Sequence, residues 1–312
     1  MNSDFYNKLA EAVADSRICT DEPMSNHTTF CIGGPADFLV YPRDVRALRE
    51  GIRFCRQEGV PFFITGNGSN LLVGDGGYRG VIFKICRTLD DIREREEKDE
   101  AGLGHLFAEA GAGVMLSAFA HRICSLGYTG AEFMTGIPGT LGGAVTMNAG
   151  AYKRETADNI LWAQVMDPEG NEQQLSKEDL HMGYRTSAVM KQDLIVLRAA
   201  FSFEQGDPGQ IREKVRELTQ ARREKQPLEY PSAGSTFKRP EGLFAGKLIE
   251  DSGLKGYSIG SAQVSEKHAG FLINRGGASA AQMRSLITHV QKTVYDRFGV
   301  RLEPEVRFLG EF

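Results

Sequence analysis

The sequence predicts an α+β protein: a domain of two subdomains over residues 1–203 (about 1–88 and 89–203), a separate α/β domain over 204–299, and a final strand within 300–312 returning toward the first domain. Three observations carry this. Apolar residues recur at helical spacing between two short apolar runs, Ala36–Tyr41 and Pro61–Thr65, which makes a strand–helix–strand unit. Residues 160–167 and 193–203 read as strands, and period-two alternation puts Ile195, Leu197, Ala199, Phe201 and Phe203 on one face. Composition then shifts near Gly206, and a chain of 312 residues is too long for one small core.

Taken in order, Pro42 closes the first strand. Val45, Leu48, Ile52 and Cys55 mark a helix that Asp44 caps and Gly59 ends. The second strand runs into the small-residue loop Gly66-Asn67-Gly68-Ser69-Asn70, and the apolar Leu71-Leu72-Val73 follows. Gly80–Ile85 is a further strand. The charged run Asp90–Glu100 is expected to be a solvated turn or hairpin. His105–Glu109 leads into Gly111-Ala112-Gly113, and Leu116, Phe119, Ala120 and Ile123 form one face of a helix ending at Gly127. Asp207-Pro208 starts a helix with Ile211, Val215, Leu218 and Arg222 on a stripe, stopping before Pro227. A glycine and hydroxyl turn, Pro231–Phe237, comes next. A long helix carries Met283, Leu286, Ile287, Val290, Val294 and Phe298 up to Gly299. The last strand, Val300–Leu309, sets Leu302, Pro304, Val306 and Phe308 opposite Glu303, Glu305 and Arg307.

Composition narrows the function classes. A net charge of -4 argues against nucleic-acid or anionic-membrane partners, which need a basic surface. Five scattered cysteines with no CxxC pair indicate neither a zinc site nor a disulfide framework, so no metal is expected. The first residues include Asp4, Glu11 and Asp15 and do not read as a signal peptide. A cytoplasmic setting is the expectation, with no obligate protein partner indicated.

The segment Thr135–Tyr152 is uncharged and holds five glycines, at 136, 139, 142, 143 and 150. Such a run lets consecutive N–H groups turn into one concavity that holds an anion. The Gly66–Asn70 loop offers a second such place. No GxxxxGK[ST] and no GxGxxG opening a helix is present, which sets aside P-loop and Rossmann nucleotide sites. FAD, an extended molecule with a diphosphate at its middle, suits two separated loops. On pattern alone, each loop also reads as a tight turn between strands.

Seven blocks occur in register: His27-Thr28-Thr29-Phe30, Gly33-Gly34-Pro35-Ala36-Asp37, Gly66–Asn70, Thr135–Tyr152, Gly183-Tyr184-Arg185, Gly234-Ser235-Thr236-Phe237-Lys238 and Leu302-Glu303-Pro304-Glu305-Val306. Together they resemble the UDP-N-acetylenolpyruvoylglucosamine reductase family over nearly the whole chain, in its shorter class without a tyrosine-loop insertion. The resemblance implies the two-subdomain FAD-binding fold of p-cresol methylhydroxylase and vanillyl-alcohol oxidase plus a separate substrate-binding domain. It implies non-covalent FAD, NADPH as hydride donor, and reduction of UDP-N-acetylglucosamine enolpyruvate to UDP-N-acetylmuramate in peptidoglycan precursor synthesis.

Carried over by motif, Arg185, Ser235 and Glu305 are the catalytic residues. The cofactor residues are Gly66, Asn67, Gly68, Ser69, Asn70, Gly111, Gly113, Thr135, Gly136, Ile137, Pro138, Gly139, Gly142, Gly143, Ala144, Asn148, Ala149 and Gly150. Tyr152, Lys225, Gln226 and Arg239 are candidates for the substrate. Hydride addition to the enol ether leaves an enolate, to whose carboxylate Arg185 can offer a planar fork of donors. Ser235 is the expected proton donor. Glu305 has the wrong charge unless it is protonated or holds a water or a neighbouring group. Two readings compete: an oxidase of the same fold with histidine-linked flavin, for which none of the six histidines has a matching context, and a non-enzymatic nucleotide-sugar binder.

Overall fold

The computed structural model describes residues 3–100 and 102–312. They divide into two compact units, each drawn from three stretches of chain. The first takes the described residues up to Cys19, Leu39–Asn67 and Val81–Gln220; the second takes Thr20–Phe38, Gly68–Gly80 and Ala221–Phe312.

In the first unit the helix Val45–Gln57 begins at Asp44, whose carboxylate accepts from Ala47 N at 2.8 Å. Its buried stripe is Ala47, Leu48, Gly51, Ile52 and Cys55. The strand Phe62–Thr65 that follows this helix pairs in parallel with Val81–Lys84. A larger antiparallel sheet runs Glu172–Ser176, Ile160–Met166, Ile195–Gln205, Gly104–Gly111, Ile92–Lys98. The helix Leu116–Ser125 packs on it through Phe119, whose ring lies 5.3 Å from Phe201 and 6.0 Å from Phe203.

The charged run Asp90–Glu100 forms the hairpin alternative, with Ile92–Lys98 as the sheet's edge strand. Most of its charges are exposed, while the half-buried Glu94 pairs with Arg122 and Arg95 lies over the Phe107 ring. Such charges blunt an exposed edge against further pairing.

The second unit is built on the helix Ala280–Phe298, which has a capping box between Ser279 and Gln282 and ends at Gly299 with φ +68°. The Asp75 carboxylate accepts from Ala280 N at 2.7 Å and Ala281 N at 2.8 Å, which binds the stretch 68–80 into this unit. Met283, Leu286, Ile287, Val290 and Val294 bury against Ile249, Leu272, Phe30 and Ile32. The strands Ser258–Ile259, Ala262–Val264 and Leu272–Asn274 form a small antiparallel sheet.

Two expectations change. The boundary expected near Gly206 lies later, after Gln220, inside the helix Pro208–Lys225. Tyr152 Oη donates to Leu218 O at 3.1 Å within the first unit, whereas Lys267 Nζ donates to Arg223 O at 2.6 Å within the second. The expected strand Val300–Leu309 is a strand only at Arg307–Leu309, pairing in parallel with Leu71–Val73. Pro304 has no N–H to donate, and the alternation fails at Phe308, which is exposed while Leu309 is buried.

Candidate active site

Gly66 and Asn67, the part of the first glycine-rich loop that belongs to the first unit, meet the second glycine-rich segment there. Asn67 Nδ2 donates to Pro138 O at 2.6 Å, and a Cβ at Gly66 would stand 2.3 Å from Thr140 Oγ1. Backbone bonds join the 111–116 and 139–142 stretches: Leu116 N to Gly139 O, Leu141 N to Val114 O and Gly142 N to Ala112 O, each within 2.9–3.0 Å. The short helix Leu141–Met147, capped by Thr140, was not legible in the sequence pattern. Thr140 Oγ1 accepts from Gly143 N at 3.4 Å.

Several expected cofactor residues are committed within the protein. Gly111 N bonds Asp91 O, Gly113 N bonds Leu89 O and Ile137 N bonds Met134 O. Thr135 Oγ1 donates to Glu132 O. Ala144 is buried, with its N–H on Thr140 O, and Ala149 N returns to Ala144 O. Asn148 is fully buried at φ +44°; its Nδ2 donates to Gly183 O at 3.0 Å and its Oδ1 accepts from Ala157 N at 3.0 Å.

Those bonds hook the arginine turn onto the glycine segment. Gly183 and Thr186 exchange backbone hydrogen bonds, and Ser187 Oγ donates to Thr146 O at 2.7 Å. Arg185 takes the left-handed position of this turn, at φ +54°. Its Nη2 donates to Gly150 O at 3.3 Å and its Cζ lies 5.1 Å from the Tyr184 ring centroid.

In the second unit Ser235 is exposed, following Gly234 at φ +75°. The extended stretch around it is held on both sides: Thr236 N donates to Gly270 O, Leu272 N to Thr236 Oγ1, and Glu305 N to Thr236 O at 2.8 Å. Ser235 and Glu305 therefore flank Thr236 within one unit, on extended stretches joined by isolated bridges. Asn70 Nδ2 donates to Glu305 O at 3.0 Å, and Arg307 N to Asn70 O. Gly68 O accepts from Thr29 N, and Ser69 is half-buried. Lys225, Gln226 and Arg239 also lie in this unit, with Lys225 and Arg239 exposed.

The glycine segment sets no charge against a diphosphate and leaves main chain open to one. No ionised side chain lies between Thr135 and Tyr152. Gly143 has only Thr140 Oγ1, 3.6 Å away, near the place its Cβ would take, so a ligand can come against its main chain. Cys86, with Sγ 3.6 Å from Met115 Sδ, has its thiol pKa pushed up by burial, which sets no thiolate against the anion. In the second unit two buried oxygens, Thr29 Oγ1 and Gln226 Oε1, have no partner among the described residues. Sequence reasoning named Thr29 only as part of a motif. No group of three or more His, Cys, Asp or Glu among the described residues could hold a metal ion, and no described helix is long and apolar enough to cross a membrane.

Comparison with known proteins identifies the family. The C-terminal domain model of UDP-N-acetylenolpyruvoylglucosamine reductase matches residues 226–309. A UDP-N-acetylenolpyruvoylglucosamine reductase of Lachnoclostridium phytofermentans is 48% identical over 311 residues, covering 100% of this chain and 99% of that protein. The chain belongs to the UDP-N-acetylenolpyruvoylglucosamine reductase family. The reductase so named in Clostridium botulinum is also 48% identical, over 98% of this chain and 97% of its own. The crystal structure of the reductase from Thermus caldophilus superposes with TM-score 0.77 at 31% identity, covering 94% of this chain and 98% of that one. The FAD binding domain model matches residues 36–176, the part that contains both glycine loops. A VAO-type flavoprotein from Myceliophthora thermophila shares the fold, with TM-score 0.50 at 14% identity over 66% of this chain and 48% of that one. FAD is the cofactor of this reductase family member.

Proposed function

We propose that the chain reduces the enolpyruvyl group of UDP-N-acetylglucosamine enolpyruvate to give UDP-N-acetylmuramate, with NADPH as the source of hydride and a cytoplasmic setting for the reaction. The observation that carries this reading is the union of the two glycine loops through Asn67 and Pro138, with the Arg185 turn fastened to the same segment by Asn148 and Ser187. Bound FAD supplies hydride transfer in two separate halves, accepting from one ligand and giving to another.

The chain's own groups do the rest. Addition of hydride to the terminal carbon of the enol ether breaks its C=C π bond and leaves the electron pair on the neighbouring carbon, delocalised into the carboxylate. Arg185 offers its guanidinium donors to that carboxylate as charge grows there. The Ser235 hydroxyl transfers its proton to the carbanionic carbon, completing a C–H bond and leaving an alkoxide that solvent reprotonates. Glu305, whose N–H bonds Thr236 O beside Ser235, takes part at the same centre, holding a water or a neighbouring group or donating from a neutral carboxyl. Tyr152, Lys225, Gln226 and Arg239 contribute to holding the nucleotide sugar, for which the unpartnered Gln226 Oε1 is an available acceptor. The shorter-class assignment, without a tyrosine-loop insertion, belongs to this same reading.

The two halves can be watched apart. Anaerobic addition of NADPH to yellow protein should bleach the flavin, and the enolpyruvyl nucleotide sugar should restore the colour. Ser235→Ala should leave the bleaching nearly intact and slow the recovery by about 10²–10⁴. Equal loss in both halves removes Ser235 from the proton-transfer role. A protein that NADPH bleaches but the nucleotide sugar does not recolour removes the substrate.

A further inference from the structure

Among the described residues, ten other than glycine have positive φ, and Tyr152 and Lys153 are the one adjacent pair, at +55° and +65°. They form the two-residue loop of a hairpin in which Ala151 pairs with Arg154 and Gly150 with Glu155. Such a loop takes left-handed φ at both positions, which favours Asn-Gly and strains a side chain as bulky as tyrosine. The surroundings hold it there. Tyr152 Oη donates to Leu218 O at 3.1 Å, Thr156 N and Oγ1 both donate to Ala149 O at 2.9 Å, and a capping box joins Glu155 to Asp158. The charges of the hairpin are not all used in this way. Arg154 donates to Asp158 at 2.5 Å and to Asn159 at 3.3 Å, whereas Lys153 is exposed and has no ion-pair partner among the described residues. It is the first charged side chain after the uncharged Thr135–Tyr152 segment, and Gly150 O of the same hairpin accepts from Arg185.

We infer that Lys153 is a phosphate-binding residue of the reductase site, its ammonium presented by the strained turn to the phosphates that the nucleotide sugar and NADPH bring to the flavin. This deepens the reductase reading and rests on it. Strained non-glycine positions persist where the surrounding structure over-determines them, and they cluster at ligand clamps. A lysine ammonium is a point charge with three donors, so it can meet a phosphate of either ligand without demanding one orientation. The nucleotide sugar carries its carboxylate and its diphosphate on one sugar. A second cation on the hairpin that accepts from Arg185 therefore suits a ligand with two anionic ends. Without such a role, glycine at this position would give the same turn at lower cost.

The probes are UDP, NADP⁺ and NAD⁺, each titrated by calorimetry into the FAD-loaded protein, with urea unfolding of the FAD-free protein alongside. Lys153→Gly should relieve the turn and raise the urea midpoint. It should also weaken binding by about three- to tenfold, between an exposed ion pair and a charge-assisted hydrogen bond. Lys153→Gln, which keeps the strain and loses the charge, should show the weaker binding without the gain in midpoint, and its deficit should shrink as salt rises. Lys153→Arg should bind like the parent. Weaker binding of UDP assigns the cation to the diphosphate of the nucleotide sugar; weaker binding of NADP⁺ alone assigns it to the 2′-phosphate of the dinucleotide, and of NADP⁺ and NAD⁺ alike to the dinucleotide's diphosphate. Unchanged affinity for all three probes in Lys153→Gln, an equal loss in Lys153→Arg, or an unraised midpoint in Lys153→Gly overturns the inference. So does a fall in FAD content in Lys153→Gln, which would set the cation on the flavin's own diphosphate. Failure of the reductase reading appears elsewhere, as absent recolouring of the flavin, which none of these titrations involves.

Discussion

Asn148 shows how one side chain ties the cofactor segment to the arginine turn. It ends the helix Leu141–Met147 in the left-handed conformation, where asparagine is tolerated better than other non-glycine residues, and both ends of its amide are bonded inside the protein. Sequence reasoning placed it among the cofactor ligands because it lies in the glycine segment. The signal for its actual bonds was there: an asparagine closing an apolar run, just before Ala149-Gly150. Asn148→Gly keeps the backbone but loses both bonds, so we expect a loss of about 1–3 kcal/mol in denaturant unfolding. Asn148→Ala adds left-handed strain and should fall about 1 kcal/mol further. If alanine proves as stable as glycine there, backbone strain contributes nothing at this position.

At the scale of elements, legibility followed length. The helices Val45–Gln57, Pro208–Lys225 and Ala280–Phe298 repeat their apolar spacing over several turns and carry recognisable caps or stops, so the pattern alone located them. The strands Ser258–Ile259, Ala262–Val264 and Leu272–Asn274 have two or three residues each, too few to express a period, and the short helix Ala245–Asp251 went unread beside them. The glycine segment was read as an anion-holding concavity, and the structure adds a helix whose first N–H groups are taken by Val114 O and Ala112 O. Its two adjacent glycines therefore have different tasks. A Cβ at Gly142 would stand 2.8 Å from the Ala112 Cβ, so Gly142→Ala should cost about 1–3 kcal/mol in the FAD-free protein by overpacking. Gly143 faces open space, and Gly143→Ala should hold or raise FAD-free stability by up to about 1 kcal/mol through helix propensity while lowering FAD affinity. Urea unfolding of the FAD-free protein beside a flavin titration separates the two. Undiminished FAD affinity in Gly143→Ala would mean that the flavin does not approach this main chain.

For the whole molecule, the order of the motifs along the chain was readable, but the grouping of chain stretches into units was not. Grouping depends on distant pairs such as Asp75 with Ala280 N and Asn274 Nδ2 with Phe30 O, which leave no trace in local spacing. The same dependence gives the second unit a predicted pH response through His268. Its Nδ1 accepts from Gly270 N at 3.1 Å, its ring meets Phe271 edge-on at 5.0 Å, and Gly246 lies beside it. Burial is the main cause holding its pKa below the ordinary value near 6.5; nearby Lys255 acts in the same direction, against the His268 backbone hydrogen bond and Glu250. A proton on Nδ1 would also face the Gly270 N–H. Below pH 6.5 the unfolded chain takes up this proton before the folded one does, so folding stability must fall as pH drops from 6.5 toward the lowered native pKa, by at most about 1.4 kcal/mol per pH unit. Above 6.5 the imidazole is neutral in both states and contributes no slope. His268→Gln removes the titration, so chemical denaturation from pH 5 to 8 should give the variant a flatter curve on the acid side and a parallel curve above pH 7. Parallel curves throughout would mean that the folded protein protonates His268 as readily as the unfolded chain does.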